Sequence, residues 1–388
     1  MSKTLPSQAS VVIVGGGVVG CSIAYHLIKL GITDVLLLER KQLSSGTTWH
    51  AAGLVGQLRA TQNLTQLAKY STELYAGLEA ETGQATGFKQ NGSISLATTD
   101  ERLEELRRGA SMARVFGLVV DEIDQDDIRR MYPLLNVGDV VGGVFLPKDG
   151  QINPTDLTQA LAKGARAGGA KVLENTKVTD ILVEQGKVTG VAVGGARISS
   201  DIVVNCTGMW GRNVGAMTKA LVPLHACEHF YVVTDPIEGV HAGLPVLRDP
   251  DNYAYFKEDA GKILLGAFEP EAKPWGMDGI PEDFCFDELP NDIDHFMPVL
   301  ERAMSRMPAL AHTGIRTWFC GPESFTPDNR YHLGEVPESK GLFVACGFNS
   351  IGIQSAGGVG KVMAEWIRDG YAPMDLWDVD IRRTLPHQ

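Results

Sequence analysis

Val11-Val12-Ile13-Val14-Gly15-Gly16-Gly17-Val18-Val19-Gly20 leads into an apolar helical pattern that reaches Leu30, and then into Val35-Leu36-Leu37-Leu38-Glu39. A β-branched run, spaced glycines, a helix, a second apolar run and an acid follow one another in register. Gly15, Gly17 and Gly20 satisfy Gly-x-Gly-x-x-Gly. The first glycine permits a tight turn, the second lets backbone approach a pyrophosphate, and the third lets helix and strand pack closely. The start of the helix offers free N–H groups to phosphates. Glu39, at the end of the second strand, is placed to accept bonds from ribose hydroxyls, which speaks against the 2′-phosphate of NADP.

The bulk numbers agree with a globular α/β protein. The chain has 388 residues, 44% hydrophobic and 21% charged, which implies two joined domains. Its formal charge of −12 and the lack of a basic run exclude nucleic acid as the expected partner. Cysteines 21, 206, 227, 285, 320 and 346 are scattered without a Cys-x-x-Cys pair. A reducing compartment therefore fits better than a disulfide framework or a zinc site. No apolar run has the length of a membrane span. Met1 to Ser10 is too short and polar for a signal peptide. The expected location is cytoplasmic, or the mitochondrial matrix for a processed form.

Working outward, residues 40–56 read as an extended segment. Helices are expected over Asn63–Thr82, Asp100–Phe116 and 121–135, the last ending at Pro133. Gly92–Ala97 alternates like a strand. Asn153 is placed to cap a helix with Pro154 at its first position, running to Ala167. Val178–Glu184 and Lys187–Val193 read as antiparallel strands, and Asp201–Cys206 as a buried strand entering Thr207-Gly208. Over 216–330, strand-like runs alternate with Pro- and Asp-rich loops, with one amphipathic helix near Asp292–Met307. Leu342–Cys346 is a buried strand. A loop follows it, and then a helix over Gln354–Asp369 interrupted early by Gly357, Gly358 and Gly360. The fold class is thus α/β, a Rossmann-like nucleotide-binding domain (1–56, 150–215 and 331–388) interleaved with a mostly antiparallel α+β substrate domain (57–149 and 216–330).

The opening stretch alone leaves NAD and FAD open. Later features favour FAD. Val178 begins a strand at the depth where adenine contacts occur, and Thr207-Gly208 closes a strand as flavoproteins do near the nucleotide. Gly347–Gly360 is a second Gly-rich strand-to-helix turn, with Gly352 and Gln354 near the helix start. A helix N-terminus there can face the flavin pyrimidine and stabilise negative charge on it.

Four segments then carry a family resemblance: Thr47-Thr48-Trp49-His50-Ala51-Ala52-Gly53, His229-Phe230-Tyr231-Val232-Val233-Thr234, Gly321-Pro322-Glu323-Ser324-Phe325-Thr326-Pro327-Asp328, and Gly347–Gly358. Together they resemble the dimethylglycine and sarcosine dehydrogenases, within the D-amino-acid-oxidase-like flavoproteins, from residue 10 to about 385. The resemblance implies FAD attached covalently through His50, with Thr48 beside it at the cofactor. It names Cys320 as a rival attachment point, at a spacing one residue too long. It implies His229 and Tyr255 over the flavin, with Tyr253 as fallback. A histidine near its ordinary pKa of ~6.5 suits a substrate that must lose an ammonium proton.

The implied reaction is oxidative N-demethylation of a small N-methyl amino acid of dimethylglycine or sarcosine type. Hydride passes to flavin N5 and formaldehyde is released. Electrons go to oxygen or to an electron-transfer flavoprotein. Arg316, Arg248 and Arg330 are candidates for a substrate carboxylate. His225, four residues before His229, gives no metal site without a third ligand, and none is expected. Family members continue into a folate-binding half, whereas this chain ends at Gln388, so folate binding is not expected of it. Two alternatives remain: a flavin fold kept as a regulatory subunit of a phosphatase, and an oxidase of another amine or amino acid.

Overall fold

In the computed structural model, which describes residues 5–384, Val11–Val14 lies inside a six-stranded sheet. Met1–Thr4 and Leu385–Gln388 lie outside the described residues, and with them part of the N-terminal stretch judged too polar for a signal peptide and the end of the last segment. Val35–Leu38 and Ile202–Asn205 flank the first strand, both parallel to it. Lys171–Leu173 and Leu342–Cys346 extend the sheet in parallel, and His332–Glu335 closes one edge antiparallel. The chain leaves the first strand to one side and returns on the other. A crevice therefore opens beyond the carboxyl ends of Val11–Val14 and Ile202–Asn205, the place where such sheets bind ligands.

The apolar runs are continuous because both faces are covered. Val11, Ile13, Val35 and Leu37 join a core shared with the helices Val18–Lys29, Pro154–Ala167 and Gly352–Asp369. Val12, Val14, Leu36 and Leu38 face the antiparallel sheet of Val178–Glu184, Lys187–Val193 and Ala196–Ser199. Asn153 caps its helix as expected, accepting from the N–H groups of Thr155 and Asp156.

A second sheet has nine strands. Near one edge His225–Thr234 pairs along its length with Ile315–Phe325 and on its other side with Lys262–Ala267. All its pairings are antiparallel except that of Val246–Asp249 with Ser93–Ala97. Helix Ile293–Arg306 buries Phe296, Val299, Leu300 and Ala303 in the core of this sheet. The α/β class and the mostly antiparallel second sheet are those read from sequence.

Several local expectations need correction. Residues 121–135 are not one helix. Asp124 forms a capping box with Asp127, which starts the helix only at Gln125–Met131. The residues ahead of that cap, Asp121–Ile123, pair instead with the open edge of Gly142–Leu146. Ile315–Phe325, interrupted in sequence by Gly321-Pro322, was not expected as a strand. Residues 40–51 form a chain of turns, and only Leu54–Val55 is extended.

Helix Gly352–Asp369 is unbroken. Its glycines serve packing. A Cβ at Gly358 would lie 2.3 Å from the Leu67 carbonyl oxygen, and one at Gly360 would lie 2.2 Å from Ser22 Oγ. Without side chains there, the helix approaches both Val18–Lys29 and Gln62–Thr82 closely. Ser22 Oγ donates to the Ala356 carbonyl, and Ser71 Oγ accepts from the Gly358 N–H. Gln62–Thr82, placed by sequence with the substrate segment, therefore buries Leu64, Leu67, Tyr75 and Leu78 in the core of the nucleotide-binding half.

Candidate functional site

The first glycine turn has the geometry its sequence demands. Gly15 has φ +111°, and a Cβ there would sit 2.4 Å from the Cys206 carbonyl oxygen. A Cβ at Gly20 would be 2.1 Å from the Gly15 carbonyl oxygen, so Gly20 acts from behind, by bringing helix and strand together. Gly17 is the N-cap of Val18–Lys29 and supplies no side-chain cap. The Glu39 carboxylate accepts from the Gly16 N–H at 2.7 Å and the Lys41 N–H at 2.8 Å, bracing the turn as well as facing the crevice. Burial raises its pKa, and those two donors offset part of the rise. Thr48 Oγ1 accepts from the Val18 N–H at 3.2 Å.

A cleft of about 330 Å³ lies over this turn. Gly15, Gly17, Glu39, Thr48, Val178, Thr207, Gly208 and Gly352 all line it; Gly20, His50 and Gln354 do not. Sequence reading missed Arg40, whose guanidinium lies 4.0 Å from the Trp210 ring centroid at the cleft wall while donating to the Glu282 and Phe284 carbonyls.

A smaller pocket of about 60 Å³ adjoins the cleft. Ala51, Glu323, Ser350 and Ile353 line both. The pocket is walled by the paired strands His225–Thr234 and Ile315–Phe325, with His229 opposite Gly321 and Tyr231 opposite Phe319. Side chains directly opposite share a face, so Tyr231 stacks on Phe319 at 4.6 Å while Phe230 and Cys320 point to the apolar core behind. Cys320 is fully buried there, its thiol pushed up to about 12 by burial, and it lines neither cavity.

His50 enters this pocket from the Thr47–Gly53 turn. Gly321 makes room for it, because a Cβ there would lie 2.9 Å from His50 Cε1. The imidazole is held between Trp49, edge-on at 5.4 Å, and Phe319 at 5.1 Å. Burial, then the nearby His229, pushes its pKa down to about 3. It is therefore neutral, and its Nε2 is buried without a hydrogen-bond partner. A buried neutral imidazole with a free nitrogen beside the cleft is the donor set that a covalent flavin link requires.

His229 Nδ1 lies 3.0 Å from Glu269 Oε2, and Glu269 Oε1 accepts from the Phe230 N–H at 2.9 Å. A carboxylate only accepts, so Nδ1 carries the proton and Nε2 is left to take one. Burial alone would lower the histidine; the Glu269 bond and charge outweigh it, and the net shift is upward. Glu269 was missed because it follows the strand Lys262–Ala267 in a loop and meets His229 only through sheet pairing. Tyr255 lies across Gly266, where a Cβ would sit 2.1 Å from its hydroxyl. Burial raises the tyrosine pKa well above its usual range. Tyr253, at φ +57°, turns outward under Arg302 and lines neither cavity.

Among the three arginines proposed for a carboxylate, only Arg248 lines the pocket. Arg316 is exposed, and Arg330 is partly buried and lines neither cavity. The Arg248 guanidinium makes no hydrogen bond or ion pair among the described residues. Burial lowers its pKa, and Asp149 acts in the opposite sense. Asp149 is itself engaged by Gln57 and Ser93. Gln354 reaches the pocket wall and accepts from the Gly56 N–H at 3.1 Å. His225 lies on the same strand face as His229 but outside both cavities.

A FAD dependent oxidoreductase family model matches residues 10–366. The chain is 40% identical to the mitochondrial sarcosine dehydrogenase of Mus musculus over 98% of its own length and 42% of that protein. It is 41% identical to the formaldehyde-forming 4-methylaminobutanoate oxidase of Paenarthrobacter nicotinovorans, over 99% of its length and 46% of the relative. It is 40% identical to the mitochondrial pyruvate dehydrogenase phosphatase regulatory subunit of Mus musculus, over 98% and 44%. The chain thus spans less than half of each of these relatives. Among solved structures, L-proline dehydrogenase from P. horikoshii superposes with TM-score 0.88 at 28% identity, covering 98% of both chains.

Proposed function

We propose, from the premise that this chain belongs to the FAD dependent oxidoreductase family, that it oxidises a small N-methyl amino acid of sarcosine or dimethylglycine type. One observation carries the reading. A pocket lined by His229, which is bonded to Glu269 behind it, by Tyr255 and by a half-buried Arg248 with an unpaired guanidinium shares its border with the glycine-lined cleft. The residues fit FAD: the glycine turn would accept a pyrophosphate, Glu39 and Val178 would flank the nucleotide, and the orphaned His50 Nε2 would serve as the tether. Gly15, Gly17, Thr48, Thr207, Gly208 and Gly352 line its path, and Gln354 and Gly20 support it. FAD, when bound, supplies the hydride acceptor.

The protein's own residues do the rest. Arg248 holds the substrate carboxylate, the group its unpaired guanidinium matches best. His229 Nε2 takes the ammonium proton, because an amine without a lone pair cannot release hydride. Tyr255 and Phe268 wall the pocket against water. The substrate iminium then takes up water and divides into formaldehyde and the demethylated amine. The electron acceptor, oxygen or an electron-transfer flavoprotein, belongs to the same proposal. So do the two-domain division and a cytoplasmic location, or a mitochondrial one as in the relatives so named. No helix among the described residues is long and apolar enough to cross a membrane.

The regulatory relative favours a second reading, a flavin fold kept for binding another protein. Its identity matches that of the dehydrogenase, so identity does not separate the two. The unpaired Arg248 and the His229–Glu269 pair support the enzyme, because buried charge without a ligand only destabilises.

The test uses purified protein carrying its flavin. Acid denaturation is expected to leave yellow colour in the pellet, and in the supernatant for His50→Ala. Sarcosine or dimethylglycine added anaerobically is expected to bleach the native protein. If no N-methyl amine bleaches it, the enzyme reading fails.

A further inference from the structure

Four residues border both the cleft and the pocket, and two of them are polar. Ser350, at φ +60°, has its Oγ buried without a partner. Glu323 uses Oε1 to accept from the neighbouring Ser324 N–H at 2.9 Å, and its Oε2 has no hydrogen bond among the described residues. Strand register puts Glu323 on the pocket face. It stands opposite Cys227, two residues along from the Gly321–His229 pair. Gly321 leaves the gap that His50 fills, and Glu323, two residues on, lines both cavities where pocket and cleft meet. Burial raises its pKa, partly offset by Ser324 and His229. Its Oε2 is thus left free to accept from a ligand at this border.

A secondary N-methyl ammonium carries two N–H bonds. After it gives one proton to His229 it keeps one N–H and a lone pair. A tertiary amine keeps none. We infer that Glu323 accepts this remaining N–H, so that the site selects a secondary N-methyl amine over its tertiary counterpart. The inference rests on reading the pocket as an N-methyl amino acid site. Arg248 holds the carboxylate at one end of the ligand and Glu323 takes the nitrogen at the other. A tertiary amine leaves Glu323 Oε2 without a donor and adds a methyl group against it, and both effects oppose binding.

The experiment compares sarcosine with N,N-dimethylglycine, which share a carboxylate and differ by one N-methyl group. Anaerobic flavin reduction is followed for the wild type, Glu323→Gln and Glu323→Leu, each with its flavin spectrum recorded to show an assembled site. The wild type is expected to prefer sarcosine in kcat/KM by at least about 10-fold. Glu323→Leu is expected to bring that ratio near one. Glu323→Gln, which keeps an acceptor oxygen, is expected to retain it to within about threefold. A wild type that prefers dimethylglycine, or a Glu323→Leu protein with undiminished preference, overturns the assignment while the amine reading stands. A wild type reduced by neither amine overturns both. The wild-type ratio is read without any variant, so a misfolded substitution does not shield the inference.

Discussion

The cleft and the pocket share a border but are built from different material. The cleft is backbone: a turn at φ +111°, a helix N-cap without a side chain, and Gly15 and Gly16, where a Cβ would lie 2.4 and 2.5 Å from its nearest neighbour. The pocket is side chain: an imidazole, a carboxylate, a phenol and a guanidinium brought from strands far apart in sequence. A phosphate is bound well by N–H groups, so its site is made by removing atoms. An amino acid, the substrate proposed for the pocket, needs charges at fixed points, so such a site is made by placing them. Substitutions that matter should therefore add atoms in the cleft and remove or neutralise charge in the pocket.

The largest expected effect is in the pocket. Arg248→Ala removes the one arginine or lysine that lines the pocket among the described residues. It is expected to lower kcat/KM by about 10³, mainly through KM, with flavin content kept. An unchanged KM would mean that the carboxylate is held elsewhere. In the cleft, Gly17→Ala adds a methyl group 3.1 Å from Thr48 Oγ1, and both residues line the cleft. Flavin incorporation on reconstitution is expected to fall by about 10-fold, because backbone can no longer approach the phosphates. Apoprotein stability is expected to change by about 1 kcal/mol or less, measured by urea unfolding. Equal losses of stability and flavin would break the contrast.

The smallest expected effect is a shift along the pH axis. Glu269 raises the His229 pKa by stabilising the imidazolium. Glu269→Gln removes that charge, so the acid limb of the kcat/KM profile should move to lower pH, with a lower plateau from a weaker base. The linked stability has the matching sign. The folded pKa is raised, so the pair stabilises fully below the unfolded value of ~6.5 and loses this as pH rises through the folded value. An acid limb unmoved in Glu269→Gln would assign that limb to another group.

The same contrast explains how much could be read in advance. Gly15, Gly17, Gly20 and Glu39 announced themselves, because a backbone site must be coded in contiguous residues. The glycines of Gly352–Asp369 look alike in sequence yet serve two ends. Gly352 borders the cleft, while Gly357, Gly358 and Gly360 let helices touch, and only the neighbours Ser71, Leu67 and Ser22 reveal this. His50 and His229 were found through family resemblance, since a lone histidine carries no spacing signal. Arg248 stood level with Arg316 and Arg330 until the pocket lining separated them.

The sequence by itself determined the nucleotide-binding strand–turn–helix, the second mostly antiparallel sheet and the acidic character of the chain. These follow from local periodicity, glycine stereochemistry and composition, which act over a few residues at a time. Only the tertiary structure decided which charges stay unpaired and face one another. It placed Glu269 against His229, left Arg248 without a carboxylate, turned Cys320 into the core and set Glu323 at the border of the two cavities. The physical reason is strand register. A side chain's face and its opposite partner depend on pairing between segments tens to hundreds of residues apart, and a shift of one residue would send each of them to the other side of the sheet.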